Sequence, residues 1–216
     1  VHVRVIVRVD IWSDVVCPWC YLGKRRFERA LAEFDRRDEV EVVYRSFELD
    51  PRMPRGEGRP KVPLLAAKLG RSEADVREME AQLEKVAAQD GLEYNLEGGL
   101  IGNTFDAHRV LHLAKECGMQ AAVTERFFQA YFTERRSLFD EDSLTEIAVD
   151  AGLDGEDVRR VLEEGTYVDD VRADIEQARA LGANGVPFFV LDDRYGVSGA
   201  QSTETFTAAL TRAFES

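Results

Sequence analysis

The sequence is short of sulfur, of lysine and of long apolar runs, and each shortage closes off a class of protein. Its 216 residues contain three cysteines, an odd and small number that builds no secreted disulfide framework. The expected compartment is therefore a reducing cytoplasm, where a close cysteine pair serves catalysis, redox sensing or metal binding more often than structure. No apolar stretch approaches the roughly 18 residues of a membrane span. Residues 1–12 alternate apolar positions with His2, Arg4, Arg8 and Asp10, which reads as a strand and not as the continuous apolar run of a leader. Lysine is scarce, 5 against 23 arginines, and the acidic excess gives a formal charge of −13. That sign argues against nucleic acid or an anionic membrane as a partner. The hydrophobic fraction of 44% is ordinary for a globular chain, so a core can form without disulfide staples or a structural metal.

What is present begins with that alternation. Val1, Val3, Val5, Val7, Val9 and Ile11 fall on one face of a strand. Cys17-Pro18-Trp19-Cys20 follows a short turn, and Pro18 suits the first turn of a helix that runs on over 21–35. A second strand over 40–49 completes a β–α–β unit with parallel strands. Residues 51–63, with four prolines and two glycines, read as a connector. Helical spacing then dominates: Val76, Met79, Leu83 and Val86 behind a Ser72-x-x-Asp75 cap, then Leu144, Ile147, Ala148 and Ala151 behind Ser143-x-x-Glu146. Gly70, Gly91, Gly118, Gly152 and Gly182 read as helix stops. Strands return over 186–191 and at 196–197, before a last amphipathic helix. The expectation is an α/β sheet domain over 1–60 and 182–216, interrupted by an all-helical insertion domain over 61–181.

A C-x-x-C pair that follows a strand and opens a helix carries specific chemistry. A thiolate, not a thiol, attacks a disulfide, and free N–H groups at a helix N-terminus stabilise negative charge there. Two intervening residues let the second sulfur reach the first and release a mixed disulfide. Cys17 is therefore expected to attack, partly exposed, and Cys20 to resolve from a more buried position. Pro18 stiffens the turn and Trp19 offers an apolar rim. Two other readings of the pair stand beside this one. The cysteines could be plain core residues. They could also join His108 and His112 in a Cys2His2 zinc set, although 87 residues separate the pairs and compact zinc modules use far fewer; no metal site is expected. His108 is the histidine better suited to face a cleft. Cys117 reads as a small core residue.

The run Asp10 to Arg25 around these cysteines resembles the opening of FrnE-like proteins of the DsbA family, in the thioredoxin superfamily. Asn103-Thr104-Phe105-Asp106-Ala107-His108-Arg109, Gly185 to Val190 and Ser198-Gly199-Ala200-Gln201 match it in the same order. The resemblance implies a thioredoxin-like fold with a helical insertion and disulfide exchange at Cys17. It also implies a cis Val186–Pro187 peptide beside Cys17, where the Val186 backbone can pair with an extended substrate. Substrate contacts are accordingly expected from Pro18, Trp19, Val186, Pro187 and His108. The chain departs from its relatives in two places. Where thioredoxin and periplasmic DsbA proteins carry a buried carboxylate, six residues before the first cysteine, Ile11 stands here, so proton transfer at Cys20 falls to Asp14 or water. Trp19 replaces the histidine that precedes the second cysteine in DsbA.

The expected activity is thiol–disulfide oxidoreduction on protein or small-molecule thiols and disulfides. It needs no cofactor beyond the cysteine pair, with glutathione as a candidate co-substrate. The competing enzyme reading is a glutathione-dependent isomerase or transferase, as in the kappa-class and hydroxychromene-carboxylate isomerase relatives. Those carry serine at the place of Cys17. The insertion is expected to wall a cleft, with Phe105, Phe127, Phe128, Tyr131 and Phe132 in its core.

Overall fold

The structure is a computed structural model that describes residues 6–215, so the expected strand positions Val1, Val3 and Val5 lie outside the described residues. The elements begin with β1 (Val7–Ser13), α1 (Pro18–Ala32), β2 (Val40–Ser46) and β3 (Gly58–Pro60). Next come α2 (Lys61–Leu69), α3 (Glu73–Gln89), β4 (Leu100–Gly102), α4 (Phe105–Glu116) and α5 (Gln120–Phe132). The rest are α6 (Glu141–Asp150), α7 (Gly155–Glu164), α8 (Val168–Ala180), β5 (Phe188–Leu191), β6 (Tyr195–Ser198) and α9 (Thr203–Phe214). Two compact units emerge, one taking the chain up to Leu49 and from Arg172 onward, the other Asp50–Val171.

The first unit is a four-stranded sheet of order β2-β1-β5-β6. β1 runs parallel to β2 and antiparallel to β5, and β5 pairs antiparallel with β6. Period-2 alternation puts Val7, Val9 and Ile11 on the face that buries Phe27 and Ala30 of α1 and Phe206, Leu210 and Ala213 of α9. The ring of Phe189, opposite Ile11, sits at the centre, 5.5 Å from Phe27 and 4.6 Å from Phe206. The polar face of β1 is covered too. Trp12 packs with Ala178, Ala183 and Val190, and its indole N–H donates to the Asp174 carbonyl at 2.8 Å. Asp10 is buried but accepts from Arg8 and Arg45, each at 2.7 Å. The Asp174 carboxylate takes Arg45 and the Ser46 N–H, so each buried acid has a partner.

These contacts fix the second boundary at 171/172 instead of 181/182, because Asp174 belongs to the sheet's own hydrogen-bond network. The first falls at 49/50 instead of 60/61, because residues 51–63 are not all connector. Within them β3 pairs antiparallel with β4 of the helical unit, and α2 starts at Lys61. That two-stranded pair lies on Phe139: a Cβ on Gly102 would stand 2.6 Å from its Cγ, which is why only glycine fits there.

The helical unit buries Val110, Ala114, Val123, Phe127, Phe128, Phe132, Leu138, Leu144, Ile147 and Ala148. Tyr131 belongs to this core as expected, while Phe105 is only half-buried. The Ser72–Asp75 capping box forms on α3. The stripe on α3 differs from the expected one: Val76 is buried, Met79 is exposed, and Glu80 faces inward to pair with Lys61 at 2.7 Å. α6 is capped one turn earlier than expected, by Asp140, whose carboxylate accepts the Ser143 N–H at 2.9 Å. The five glycines read as helix stops all take positive φ.

Candidate active site

α1 starts where the sequence places Pro18. Proline lacks the N–H that a first-turn residue would leave unused, so it sits at the first helical position with Cys17 as N-cap. The turn before it is closed by the Cys17 N–H on the Asp14 carbonyl, and the next by the Cys20 N–H on the Cys17 carbonyl, both at 3.0 Å. No acidic side chain occupies the first turn of α1 to oppose negative charge on the sulfur at its cap.

Cys17 Sγ lies 3.6 Å from the Val186 carbonyl, its thiol donating, although 169 residues separate the two. The Val186–Pro187 peptide is cis. Pro187 is buried and Val186 half-buried, and the Gly199 N–H donates to the Pro187 carbonyl at 2.8 Å. This loop changes the expected exposure of Cys17. Cys17 is 4% exposed instead of partly open, because the Val186 carbonyl closes over the sulfur. Trp19 is 46% exposed and Pro18 half-buried, so the residues between the cysteines supply the open surface.

Cys20 is 2% exposed. Burial pushes its thiol well above the ordinary cysteine range, with the neighbouring Cys17 adding to the rise. The Ser13 hydroxyl and the backbone of Asp14 pull the other way by hydrogen bonding to Cys20. Ser13, at the end of β1 and itself buried, is the residue that reading the sequence missed. The available signal was a small hydroxyl ending the apolar Val7, Val9, Ile11 face of the strand, just before the cysteine turn. Asp14, one of the two expected proton-transfer groups, is fully buried, and its carboxylate accepts the Leu49 N–H at 2.8 Å.

The remaining sequence candidates lie in the helical unit. His108 is 1% exposed within α4, not on an open surface, and its backbone N–H donates to the Thr104 carbonyl. The His112 ring stacks on Tyr167 with centroids 6.0 Å apart. Among the described residues no three His, Cys, Asp or Glu side chains are grouped to hold a metal ion. Cys117, expected in the core, is exposed, because it falls at the C-cap of α4 where the apolar stripe has already turned away. Among the described residues no helix is long and apolar enough to cross a membrane.

Comparison with known proteins agrees on the fold. YwbO of Bacillus subtilis (strain 168), an uncharacterized protein, is 30% identical over 207 residues, which is 94% of this chain and 96% of that protein. The crystal structure of a probable DsbA oxidoreductase from Streptomyces coelicolor superposes with a TM-score of 0.92 at 53% identity, over 97% of this chain and 90% of the other. The cytosolic disulfide reductase DsbM from Pseudomonas aeruginosa, solved with GSH, shares the fold with a TM-score of 0.67 at 18% identity, over 97% and 100% of the two chains. The model of the DSBA-like thioredoxin domain matches residues 8–211. This chain therefore belongs to the family of DSBA-like thioredoxin domains.

Proposed function

We propose that the protein is a thiol–disulfide oxidoreductase in which Cys17 attacks and Cys20 resolves. The observation that carries this reading is the asymmetry of the pair: Cys17 caps α1 with its sulfur 3.6 Å from the Val186 carbonyl, while burial holds Cys20 as a thiol. The Cys17 thiolate attacks one sulfur of a substrate disulfide, forming a mixed disulfide and releasing the other sulfur as a thiolate. Cys20 then loses its proton and attacks Cys17 Sγ. This forms the Cys17–Cys20 disulfide and releases the second substrate thiol, so two electrons pass from protein to substrate. Ser13 and the Asp14 backbone stabilise the Cys20 thiolate at that moment. An extended substrate segment pairs with the Val186 backbone while Trp19 covers its apolar side chains.

The substrates are protein or small-molecule disulfides, and glutathione, present in the DsbM structure, is the thiol class proposed to return Cys17–Cys20 to the dithiol. The cytosolic assignment of that neighbour agrees with a cytoplasmic location for this chain. A redox titration of the Cys17/Cys20 pair against glutathione, run beside insulin reduction, tests the reading. Cys20→Ser should accumulate the mixed disulfide and lose turnover. Full turnover in Cys20→Ser would overturn it and favour a glutathione-dependent isomerase or transferase, which has no use for a resolving thiol.

A further inference from the structure

Glycine in the interior of a helix is unfavourable, because alanine at the same place loses less backbone entropy. Gly23 nevertheless sits on the buried face of α1, one turn below Cys20. The reason lies outside the helix. A Cβ at Gly23 would stand 2.9 Å from Pro187 Cγ and 3.5 Å from both Cα and Cβ of Ala200, and the first of these is closer than side chains tolerate. The pyrrolidine ring of Pro187 therefore rests directly on the backbone of the helix that bears the cysteines. Gly185, two residues before Pro187, has open space around its own Cβ position.

One turn further along the same face, Arg26 Nη1 donates to the Ala200 carbonyl at 2.7 Å. Ala200 follows Gly199, whose N–H holds the Pro187 carbonyl at 2.8 Å and whose φ of +82° suits glycine. A continuous path thus runs from Arg26 through Ala200, Gly199 and Pro187 to Val186, whose carbonyl faces Cys17 Sγ.

We propose that Gly23 and Arg26 are positioning residues that set the gap between the Val186–Pro187 loop and the Cys17 sulfur. Gly23 lets the loop descend onto α1, and Arg26 pins the Ser198–Gln201 segment that holds it down. The gap they set is the slot in which a substrate disulfide lines up with Cys17, so their effect falls on substrates that pair with the loop backbone. This rests on the proposed exchange chemistry, but the closure of the loop over Cys17 can be read without it.

The test compares wild type, Gly23→Ala, Arg26→Met and Arg26→Lys as reduced full-length proteins. Iodoacetamide labelling is followed by tandem mass spectrometry, with exposed Cys117 as internal reference. The Cys17:Cys117 labelling ratio should rise roughly threefold or more in Gly23→Ala and Arg26→Met, and return toward wild type in Arg26→Lys, because access governs the reaction at a covered thiol. Exchange with a disulfide-bonded peptide should slow about tenfold or more, while exchange with hydroxyethyl disulfide, which has no backbone to pair, should change far less. An unchanged labelling ratio, or equal slowing on both disulfides, would overturn the proposal and leave Gly23 and Arg26 as packing residues only. A raised ratio in a protein whose wild type exchanges neither disulfide would uphold the loop closure and sink the oxidoreductase reading instead. Should Gly23→Ala fail to fold, the Arg26 pair carries the comparison alone.

Discussion

Phe188 and Phe189 are adjacent on β5 but face opposite sides of the sheet, and truncating each to alanine measures what those sides contribute. Phe189 is fully buried, with the rings of Phe27 at 5.5 Å and Phe206 at 4.6 Å. Deleting a buried phenylalanine costs about 3–5 kcal/mol through lost transfer energy and the cavity left behind. Each ring pair at this spacing adds about 0.5–1.5 kcal/mol, so Phe189→Ala belongs at the top of the range, near 4–5 kcal/mol. With roughly 5–15 kcal/mol stabilising a whole domain, the sheet unit becomes marginal. Phe188 is half-buried, with the ring of Trp12 at 6.1 Å, and its loss should cost about 1–2 kcal/mol. Urea unfolding followed by tryptophan fluorescence reads both. At about 2–3 kcal/mol per molar of urea, the Phe189→Ala midpoint should fall by about 2 M and that of Phe188→Ala by about 0.3–1 M. Equal shifts for the two variants would refute the assignment of Phe189 to the centre of the core.

Resolution of the mixed disulfide should accelerate as pH rises through and beyond the ordinary thiol range, because burial keeps Cys20 protonated there; stopped-flow release of a labelled peptide thiol reads this, and a flat profile would contradict it. The same raised thiol gives a stability signature. Folded Cys20 holds its proton more tightly than the unfolded chain, so its contribution is intact below the unfolded value of about 8.5 and is lost as pH climbs above it; the alkaline decline in the reduced protein's urea midpoint should be shallower in Cys20→Ala. Ser13→Ala removes a hydrogen bond that favours the Cys20 thiolate, so it should slow resolution several-fold while leaving the first attack by Cys17 near its wild-type rate, as separated in single-turnover quench experiments. Lys61→Met strands the buried Glu80 carboxylate and should cost about 3 kcal/mol, most of it regained in Lys61→Met/Glu80→Leu; denaturant midpoints of both variants check this.

The sequence by itself determined whatever depends on neighbours along the chain. Alternation marked β1, Pro18 fixed the start of α1 and made Cys17 its cap, and Ser72 with Asp75 closed the first turn of α3. Each is set within a few residues by backbone sterics, by an N–H in need of an acceptor, or by the two-residue repeat of a strand. The resemblance extended this reach to Val186–Pro187, which no local rule could join to Cys17. Tertiary structure decided the rest. Met79, expected on the buried stripe of α3, turns outward while Glu80 faces inward, where Lys61 offers a buried partner. Cys117 is exposed because its helix ends there, and the unit boundaries shift to follow Asp174 and the β3–β4 pairing. Cys17 is covered by a carbonyl from 169 residues away, and Gly23 acquires its meaning only once Pro187 rests on it. Such contacts join segments whose approach is governed by packing of the whole sheet, and nothing in a window of neighbouring residues records which distant backbone will arrive.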